Sequence, residues 1–368
     1  MRIGIVCPYN LFRPGGVQEH IFAQAEQLRK RKHKVFIITP KPRDYEGEKP
    51  KDVYFIGQSV KMRAQASTVD ISTPVENEEI EEMFQELQLD VIHFHEAFVP
   101  FIPRQIVLQA PCPTVGTLHA AVPETLLGRS VASIRPYMRS VLAGLDTITA
   151  VSPAATSHVM DMLDQEINYI PNGISDSYKS TGSQKRDPAT ILFIGRLEKR
   201  KGAKYLIDAF ELVTEKIPNA KCIIAGDGQL RKTLERYAKD RGIDNVEFLG
   251  FVSDEKKKEL LKSCTVYCSP AIYGESFGIV LLEAMILGAP IVAHPNPGYE
   301  WVMKETGRLS LVDVKNPEEF ARRLVLLMQD GEIRKVWQAW AKEYVKQYSY
   351  RYVVDEYEKL YKKLVNKK

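Results

Sequence analysis

Short apolar runs alternate with amphipathic stretches along most of this chain, and this alternation limits the folds open to it. The runs are four or five residues long, as in parallel strands covered on both faces, and the first is Ile3–Cys7. After it, apolar residues recur with the 3.6-residue period of a helix at Val17, Ile21, Ala25 and Leu28. A second apolar run follows. This βαβ opening predicts a doubly wound sheet of parallel strands.

The same alternation occurs twice, which predicts two domains. We expect further strands of the first series at Val35–Ile38, Val53–Ile56, Val91–Phe94, Thr114–Thr117 and Thr147–Val151, with a helix at Glu76–Leu87. We expect strands of the second series at Ile191–Ile194, Cys222–Ala225, Val246–Leu249, Thr265–Ser269 and Pro290–Ala293, with helices at Ala203–Ile217 and Gly278–Leu287. The prediction is an α/β protein of two Rossmann-like domains, each built on a parallel sheet and facing a central cleft.

The length of 368 residues suits two domains of ordinary size. We predict an N-terminal domain at 1–174, a C-terminal domain at 175–345 and a final helix at 346–368 that returns to the first domain. The polar segment Ser177–Pro188 indicates an exposed connection between the two.

Composition excludes several classes of protein. A net charge of +4 does not require a polyanionic partner. The cysteines are odd in number, and Cys264 and Cys268 are four residues apart, so neither a redox CxxC nor a zinc set is formed. No apolar run approaches the ~20 residues that span a bilayer, and strand-like sequence begins at Arg2. We therefore expect a cytoplasmic protein with reduced thiols, at most peripheral at the inner membrane face.

Gly15 and Gly16 lie between a strand end and a helix start. Backbone N–H groups at such a helix start suit a phosphate, and glycine lets the phosphate approach closely. A turn with positive φ that only connects strand to helix explains the pair equally well. The sequence leaves both interpretations open.

A basic loop follows the first strand of the second series. Arg196 and Lys201 are placed to neutralise the charge that develops on a diphosphate leaving group. A solvated basic loop is the alternative, and it is the interpretation given to Lys199 and Arg200.

The segment from Gly274 to Ala284 carries two glutamates, Glu275 and Glu283, around an expected helix start. On a helix, eight residues give about 12 Å of rise, too far for the paired carboxylates of most hydrolases. The spacing suits two contacts along one extended ligand. Free N–H groups of Ser276–Ile279 can bind phosphate or sugar oxygens. Solvent exposure explains Glu283 poorly, because it lies in an apolar run where charge must be paired.

Histidines near strand ends are further candidates. His119 follows the strand that ends near Thr117 and is either functional or structural. His93 and His95 alternate to one face, but no acidic or thiol ligand completes a metal site with them. An Asp-x-Asp pair is also lacking in the sequence, which removes the usual hint of a metal-held diphosphate. No metal is predicted.

Taken together, these motifs resemble the family 4 glycosyltransferases of the GT-B fold, and among them the bacterial phosphatidylinositol mannosyltransferases. The resemblance covers nearly the whole chain. It rests on the following segments: Met1-Arg2-Ile3-Gly4, Cys7-Pro8-Tyr9, Pro14-Gly15-Gly16-Val17-Gln18, His93-Phe94-His95-Glu96, Ile170-Pro171-Asn172-Gly173, Gly195-Arg196, Lys201-Gly202, Phe248-Leu249-Gly250 and Gly274–Ala284.

The resemblance implies a retaining, metal-independent transferase that uses a nucleotide diphosphate sugar, with GDP-mannose as the expected donor and no cofactor. It implies backbone contact of Gly16 with the diphosphate, and charge contacts from Arg196 and Lys201. Glu275 would bind the transferred sugar and Glu283 the ribose. The remaining implied donor contacts are Phe251 and Val252 near the base, Ser276, Phe277, Gly278 and Ile279 at the helix start, and His119 over the reacting sugar.

The acceptor is less clearly indicated. Tyr9, Gln18 and the loop residues Lys61 and Arg63 are the acceptor-site candidates, the latter two for a phosphate. The similar mannosyltransferases carry a basic amphipathic helix where this chain has five glutamates between 76 and 82, which would repel anionic lipid. The basic cluster Arg29–Lys34 would either touch a membrane or complement a helix C-terminus.

Three functions therefore stay open. The first is a glycosyltransferase with a phosphate-bearing acceptor, either phosphatidylinositol or another lipid-linked or soluble molecule. The second is a hydrolase or epimerase of nucleotide sugars, although an epimerase needs extra carboxylates facing the sugar. The third is a binding module without catalysis, against which the intact set of charged residues argues. No nucleic-acid partner is expected.

Overall fold

The structure is a computed structural model that describes residues 1–13, 15–64, 67–120, 129–163, 165–175, 178 and 186–367, without the side chains of 61–64, 67–71 and 129–134. The chain divides into two compact units. The first unit is Met1–Gly173 with Tyr350–Lys368, and the second unit is Ile174–Ser349. The sequence placed these limits after residues 174 and 345.

The first unit is built on an eight-stranded sheet in the order β4-β3-β2-β1-β5-β6-β7-β8. Its elements are β1 Arg2–Val6, α1 Gly16–Lys30, β2 Lys34–Lys41, β3 Val53–Ala64, β4 Ser67–Ser72, α2 Asn77–Leu87, β5 Val91–His95, α3 Ile102–Gln109, β6 Thr114–Leu118, α4 Arg129–Ala143, β7 Thr147–Ala150 and β8 Ile167–Tyr169. Every pair in the sheet is parallel except β3 with β4. The central strands are buried, which is why most of their residues are apolar, with buried polar exceptions that include His93, His95 and Thr117.

Two edge strands were not predicted from the sequence, and one predicted loop is part of a strand. β4 and β8 were not predicted, because they lack a continuous apolar run and lie at the sheet edges. The strand predicted at Val53–Ile56 continues to Ala64 as β3 and pairs with β4. Lys61 and Arg63 therefore lie on a strand and not in a loop.

The second unit has a five-stranded parallel sheet in the order β11-β10-β9-β12-β13. Its elements are β9 Thr190–Ile194, α5 Ala203–Lys216, β10 Lys221–Ala225, α6 Arg231–Asp240, β11 Val246–Gly250, α7 Asp254–Ser263, β12 Val266–Ser269, α8 Ile279–Ile286, β13 Ile291–Ala293, α9 Pro297–Val302, α10 Pro317–Gln329 and α11 Gly331–Tyr344. Residues of β9, β10 and β12 share a buried core with α5 and α10. The predicted fold class, two α/β units with parallel sheets, is confirmed.

The last helix, α12 (Tyr350–Val365), belongs to the first unit. Its buried residues Val353, Val354, Tyr357 and Tyr361 join the core of β1 and α1. Its amphipathic period gives it one apolar face, and α1 supplies the complementary face.

Candidate functional site

The connectivity of the first sheet marks where a ligand binds. From β1 the chain proceeds outward to β2 on one side, and β5 lies on the other side of β1. Open α/β sheets bind ligands at the carboxyl ends of the strands where the order reverses in this way. The residues after Val6 and after His95 lie at this switch point. Gly16 follows β1, and His119 follows β6, the neighbour of β5, so both residues lie at the same edge of the first unit.

Gly15 and Gly16, at the start of α1, do not form a positive-φ turn. Gly15 has φ −176°, which is extended backbone, and Gly16 is the first helical residue. A Cβ added to Gly16 would meet no protein atom within 4 Å. The turn interpretation is therefore wrong, and packing within the protein does not require glycine at 16. Open space beside a helix N-terminus leaves room for an anion.

His119 follows β6 and is 7% exposed. The carboxylate oxygen Oε1 of Glu96 accepts from the backbone N–H of His119 and of Ala120, each at 2.7 Å. Burial raises the pKa of Glu96 to about 7, and these two hydrogen bonds oppose the rise. Glu96 therefore holds the loop that carries His119, a role the sequence did not assign to it.

A cluster of histidines lies under this loop. The ring centroids of His20, His95 and His119 are 5.0 to 5.3 Å apart, and one nitrogen of each lies within 4.8 Å of the others. His95 Nδ1 is 2.7 Å from His119 Nε2. His93 shares the face of His95, as alternation predicted, and contacts Thr117 Oγ1 at 2.6 Å. His20 was missed, although it lies among the buried residues of α1.

Burial keeps these rings neutral. It lowers the pKa of His119 to about 4, although a hydrogen bond with Asn172 opposes the change. It lowers the pKa of His93 to about 3, with a smaller effect from His119. The pKa values of His20 and His95 are also well below 6.5, because burial comes first and neighbouring histidines add repulsion. At neutral pH each ring therefore offers a lone pair.

The acceptor candidates of the first unit are spread over several elements. Tyr9 is half-buried after β1, and burial followed by the charge of Glu96 raises the pKa of its hydroxyl. Gln18 donates from Nε2 to the carbonyl of Asn10 at 3.2 Å. The side chains of Lys61 and Arg63 lie outside the described part of the chain, so their contacts stay a prediction.

In the second unit the order reverses between β9 and β12, which are hydrogen-bonded neighbours. The loops that follow them meet at the carboxyl edge, where the backbone N–H of Ile272 donates to Arg200 O at 2.9 Å. The basic loop after β9 and the glutamate-bearing loop after β12 are thus brought together. This is the position that the fold offers to a ligand.

Gly202 allows the approach of these two loops. Its φ is +73°, and a Cβ would lie 2.1 Å from the carbonyl oxygen of Pro270. Lys201, directly before it, donates to Glu275 Oε1 at 2.7 Å. Arg200 donates to the same oxygen at 2.8 Å and to Glu198 at 3.0 Å.

Arg200 therefore contradicts its sequence-based interpretation as a solvated residue. It is half-buried between two carboxylates, whereas Lys199 is exposed as expected. Arg196 is largely exposed and pairs with Glu198 at 3.0 Å. The loop thus presents several cations around Glu275, with Arg196 free to swing because surface pairs are weak.

The two glutamates are not on one helix. α8 begins at Ile279, so Glu275 lies in the preceding loop, and the rise of 12 Å does not apply. Gly278 precedes the helix with φ +88°, where a Cβ would meet the ring of Tyr299 at 2.5 Å. Ser276 is half-buried. The ring of Phe277 is buried, so Phe277 can contact a ligand through its backbone but not through its side chain.

Glu283 is 4% exposed and paired, as the argument from its apolar surroundings required. Its Oε1 accepts from Tyr178 Oη at 2.8 Å and from Lys257 Nζ at 3.0 Å. Burial is the largest single effect on the pKa of Lys257 and lowers it, but the charge of Glu283 and the contacts with Tyr178 together raise it, so the net pKa lies above the usual value. Neither Tyr178 nor Lys257 was singled out in the sequence.

The last donor candidates follow β11. Phe251 is 85% exposed, and Val252 is half-buried beside it. The backbone N–H of Gly226 donates to Gly250 O at 2.7 Å and ties this loop to the loop after β10. An exposed aromatic ring at a sheet's carboxyl edge can stack on a flat ligand group.

The charged surfaces of the first unit bear on membrane contact. On α2, Glu78, Glu81 and Glu82 are exposed, so the acidic surface expected from the sequence is present. Arg31 pairs with Asp355 and Glu358 of α12 and is not free for a membrane. Among the described helices, none is long and apolar enough to cross a bilayer.

Two family models match this chain. The model described as Glycosyltransferase Family 4 matches residues 14–178, and the model described as Glycosyl transferases group 1 matches residues 176–344. A phosphatidyl-myo-inositol mannosyltransferase of Mycobacterium leprae is 31% identical over 98% of this chain and 96% of its own length. The same enzyme of Mycolicibacterium smegmatis is also 31% identical, over 98% of this chain and 93% of its own length. The resemblance inferred from the motifs is confirmed.

Solved structures agree in fold. HepE of Anabaena, solved in complex with UDP and glucose, has a TM-score of 0.77 at 17% identity, over 99% of this chain and 100% of its own. The sucrose-phosphate synthase of Thermosynechococcus elongatus has a TM-score of 0.76 at 18% identity, over 100% of this chain and 99% of its own. At these identities the likeness shows the two-domain GT-B fold alone.

Proposed function

This chain belongs to the family 4 glycosyltransferases, and we propose that it transfers mannose from GDP-mannose to phosphatidylinositol. We propose further that the anomeric configuration is retained and that no metal ion takes part. The relatives that are 31% identical over 98% of the chain motivate the choice of sugar and acceptor. The cluster of Lys201, Arg200 and Glu275 is the observation that carries the chemistry.

The leaving diphosphate would bind at this cluster. Charge grows on the diphosphate as the sugar departs, and fixed cations in a half-buried site stabilise that charge without reorganisation. Lys201 and Arg200 both point at one oxygen of Glu275. When a diphosphate takes over these cations, Glu275 becomes available to the hydroxyls of the transferred sugar. Arg196 would close on the diphosphate from its exposed position.

Glu283 would bind the ribose of the donor. Its hydrogen bonds within the described part of the chain, from Tyr178 and from Lys257, both end on Oε1, which would leave Oε2 to accept from a ribose hydroxyl. A carboxylate oxygen accepts strong hydrogen bonds, which suits a ribose hydroxyl. Phe251 and Val252 would lie near the base.

The first unit would supply Gly16 and His119. The empty space beside Gly16 would admit a diphosphate oxygen to the backbone N–H groups of α1. His119 would lie over the reacting sugar. Because the diphosphate departs on the face that the acceptor approaches, through an oxocarbenium-like state, this mechanism needs no carboxylate nucleophile.

A second candidate is the same reaction with an acceptor that does not lie in an anionic membrane. The exposed glutamates of α2 favour it, because each basic residue near an anionic surface is worth about 1 kcal/mol of attraction and these residues are acidic. Tyr9, Gln18, Lys61 and Arg63 would then bind a soluble or differently anchored phosphate.

The test is a transfer assay with the purified chain and excess EDTA. GDP-mannose, UDP-glucose and UDP-N-acetylglucosamine are each offered with phosphatidylinositol vesicles, with soluble inositol phosphate or with no acceptor. Nucleotide diphosphate release and labelled product are measured. We expect labelled lipid only with GDP-mannose, in a linkage that an α-mannosidase cleaves, and loss of most activity in Glu275→Gln.

Each competing function has its own result. Product on soluble inositol phosphate but not on lipid would favour the second candidate. Nucleotide diphosphate release without any acceptor product would indicate a hydrolase. Binding of a nucleotide sugar without turnover would indicate a binding module, and an inverted linkage or dependence on added metal would refute the mechanism.

A further inference from the structure

The three histidines that surround one point in the first unit have an arrangement typical of a metal site. The ring centroids of His20, His95 and His119 form a nearly equilateral triangle with sides of 5.0 to 5.3 Å. One nitrogen of each ring lies within 4.8 Å of the others. Metal-bound imidazole nitrogens at about 2.1 Å from a zinc ion lie about 3.3 Å from each other, so small ring movements would suffice.

The outward nitrogens of His95 and His20 have oxygen partners. His95 Nε2 is 2.9 Å from Gln24 Oε1, and an amide oxygen only accepts, so the proton lies on His95 Nε2. His95 Nδ1 therefore carries a lone pair and faces His119. His20 Nδ1 is 3.5 Å from Tyr350 Oη. Histidine ligands of metals ordinarily donate their other N–H to such an acceptor, which fixes the ring.

Of the three inward nitrogens, that of His20, Nε2, is buried and has no hydrogen-bond partner among the described residues. His95 Nδ1 and His119 Nε2 share a single proton at 2.7 Å. An unpaired buried nitrogen is costly unless a ligand satisfies it. A metal ion would satisfy His20 and replace the shared proton.

We propose that His20, His95 and His119 bind one divalent transition-metal ion of the zinc type, and that the ion inhibits sugar transfer by capturing His119. Three nitrogen ligands leave one position open, as in sites where zinc keeps a water. His119 is the most exposed of the three, so ion and water would enter from its side. The inhibition rests on the proposed function, whereas metal binding does not.

Binding is tested first, by titrating the EDTA-stripped full chain with Co²⁺ and with Zn²⁺. We expect one tight site, the visible absorption of a four-coordinate Co²⁺ ion, and displacement of Co²⁺ by Zn²⁺. His20→Gln should weaken binding by more than 100-fold, because a ligand is lost. Gln24→Met keeps all three ligands and should weaken binding about 10- to 100-fold, the usual effect of removing an outer partner.

His158→Gln is the matched control. His158 is also buried, and its Nδ1 has no hydrogen-bond partner in the described ranges, but it is not part of the three-histidine group. Its replacement should leave the Co²⁺ spectrum and affinity unchanged. If the wild type binds no Co²⁺ at micromolar concentration, or if His158→Gln loses the site and His20→Gln keeps it, the proposal is refuted. Should His20→Gln not fold, the wild-type spectrum and Gln24→Met still decide.

Activity is tested second, as the ratio of turnover with and without one equivalent of Zn²⁺. We expect at least tenfold inhibition in the wild type, reversal by EDTA, and a ratio near one in His20→Gln. Tight Zn²⁺ binding without inhibition would refute the regulatory half of the proposal. If EDTA-treated wild type transfers no sugar to any acceptor, the proposed function is refuted. The metal site is then tested by the Co²⁺ spectra alone, because they do not depend on transfer activity.

Discussion

Replacing Lys257 with methionine leaves the buried carboxylate of Glu283 without its cation. The side chain of Glu283 is 5% exposed and that of Lys257 is 17% exposed, and their charged atoms are 3.0 Å apart. Methionine retains the apolar stem of lysine, so the packing of α7 on α8 is largely conserved. The change therefore isolates the charge.

The loss of stability expected for Lys257→Met follows from the burial of the ion pair. Removal of one partner from a buried ion pair costs about 3–5 kcal/mol, because the other charge stays buried without compensation. Lys257 is partly exposed and Tyr178 still donates to Glu283, so we expect the lower limit, about 3 kcal/mol. In a unit of this size each kcal/mol moves the melting temperature by about 2–4 °C, which gives a decrease of about 6–12 °C.

Two further variants separate the charge from other causes. Lys258→Met is the matched control, because Lys258 lies 4.5 Å from the Tyr178 ring centroid on the same helix and has no ion pair with Glu283 among the described contacts. Its loss should cost about 1 kcal/mol at most. Adding Glu283→Gln to Lys257→Met removes the uncompensated charge and should recover about 2 kcal/mol.

Tryptophan fluorescence is a suitable probe. All three tryptophans, Trp301, Trp337 and Trp340, lie in the second unit, so their signal reports its unfolding even if the first unit melts separately. A melting temperature for Lys257→Met within 3 °C of the wild type, or equal to that of Lys258→Met, would refute the argument. Glu283 would then not depend on Lys257.

Three more predictions use single variants or reagents. Lys201→Ala should lower kcat about 10²–10³-fold with a smaller change in KM. Among the described contacts, Lys204→Ala loses those with Asp208 and Tyr237 but none with Glu275, so it should transfer normally; equal losses in the two variants would contradict the leaving-group role. A thiol reagent should label none of the five buried cysteines before unfolding, since burial raises the pKa of Cys7 to about 12; rapid labelling of the folded chain would refute this. Hydrogen bonds, of which that from Lys362 has the largest effect, lower the pKa of Glu358 from 4.5 to about 2. The contribution of Glu358 to the stability of the fold is therefore complete above pH 4.5 and is lost as the pH falls toward 2. Glu358→Gln should therefore cost about 1–2 kcal/mol at pH 7 and nothing near pH 2, as acid titrations of thermal stability will show.

The parallel strands and the pairing of the buried Glu283 could be predicted from the sequence, because each has a local cause. A strand buried on both faces is mostly apolar, and this pattern located the central strands of both units. A carboxylate within an apolar helix must be paired, and Glu283 is. The edge strands β4 and β8 have a solvent side and no such pattern, so the same reasoning missed them.

Partners from distant elements could not be predicted. Lys257 reaches Glu283 from α7, and no spacing in the sequence links the two residues. His20 and Gln24 left a fainter signal, since they are polar residues four apart on the buried face of α1. Their contact with His95 depends on β5 lying beside β1, which is a property of the sheet order. The basic loop after β9 has no periodicity, so nothing local distinguished Arg200 from Lys199.

The charge distribution of the first unit narrows how a lipid acceptor could be recognised. One cation of the basic cluster Arg29–Lys34 serves the protein itself, because Arg31 pairs with Asp355 and Glu358 and thereby holds α12 against α1. Lys30, Lys32 and Lys34 of the same cluster are exposed. The exposed face of α2 is acidic. The surface of α2 would therefore repel an anionic membrane, and salt would weaken any attraction by the exposed lysines of the basic cluster. Recognition of a lipid phosphate would then depend on local contacts, for which Lys61 and Arg63 on β3 are the candidates. A soluble acceptor needs no such surface, which is why the choice between soluble and lipid acceptors is the most informative arm of the transfer assay.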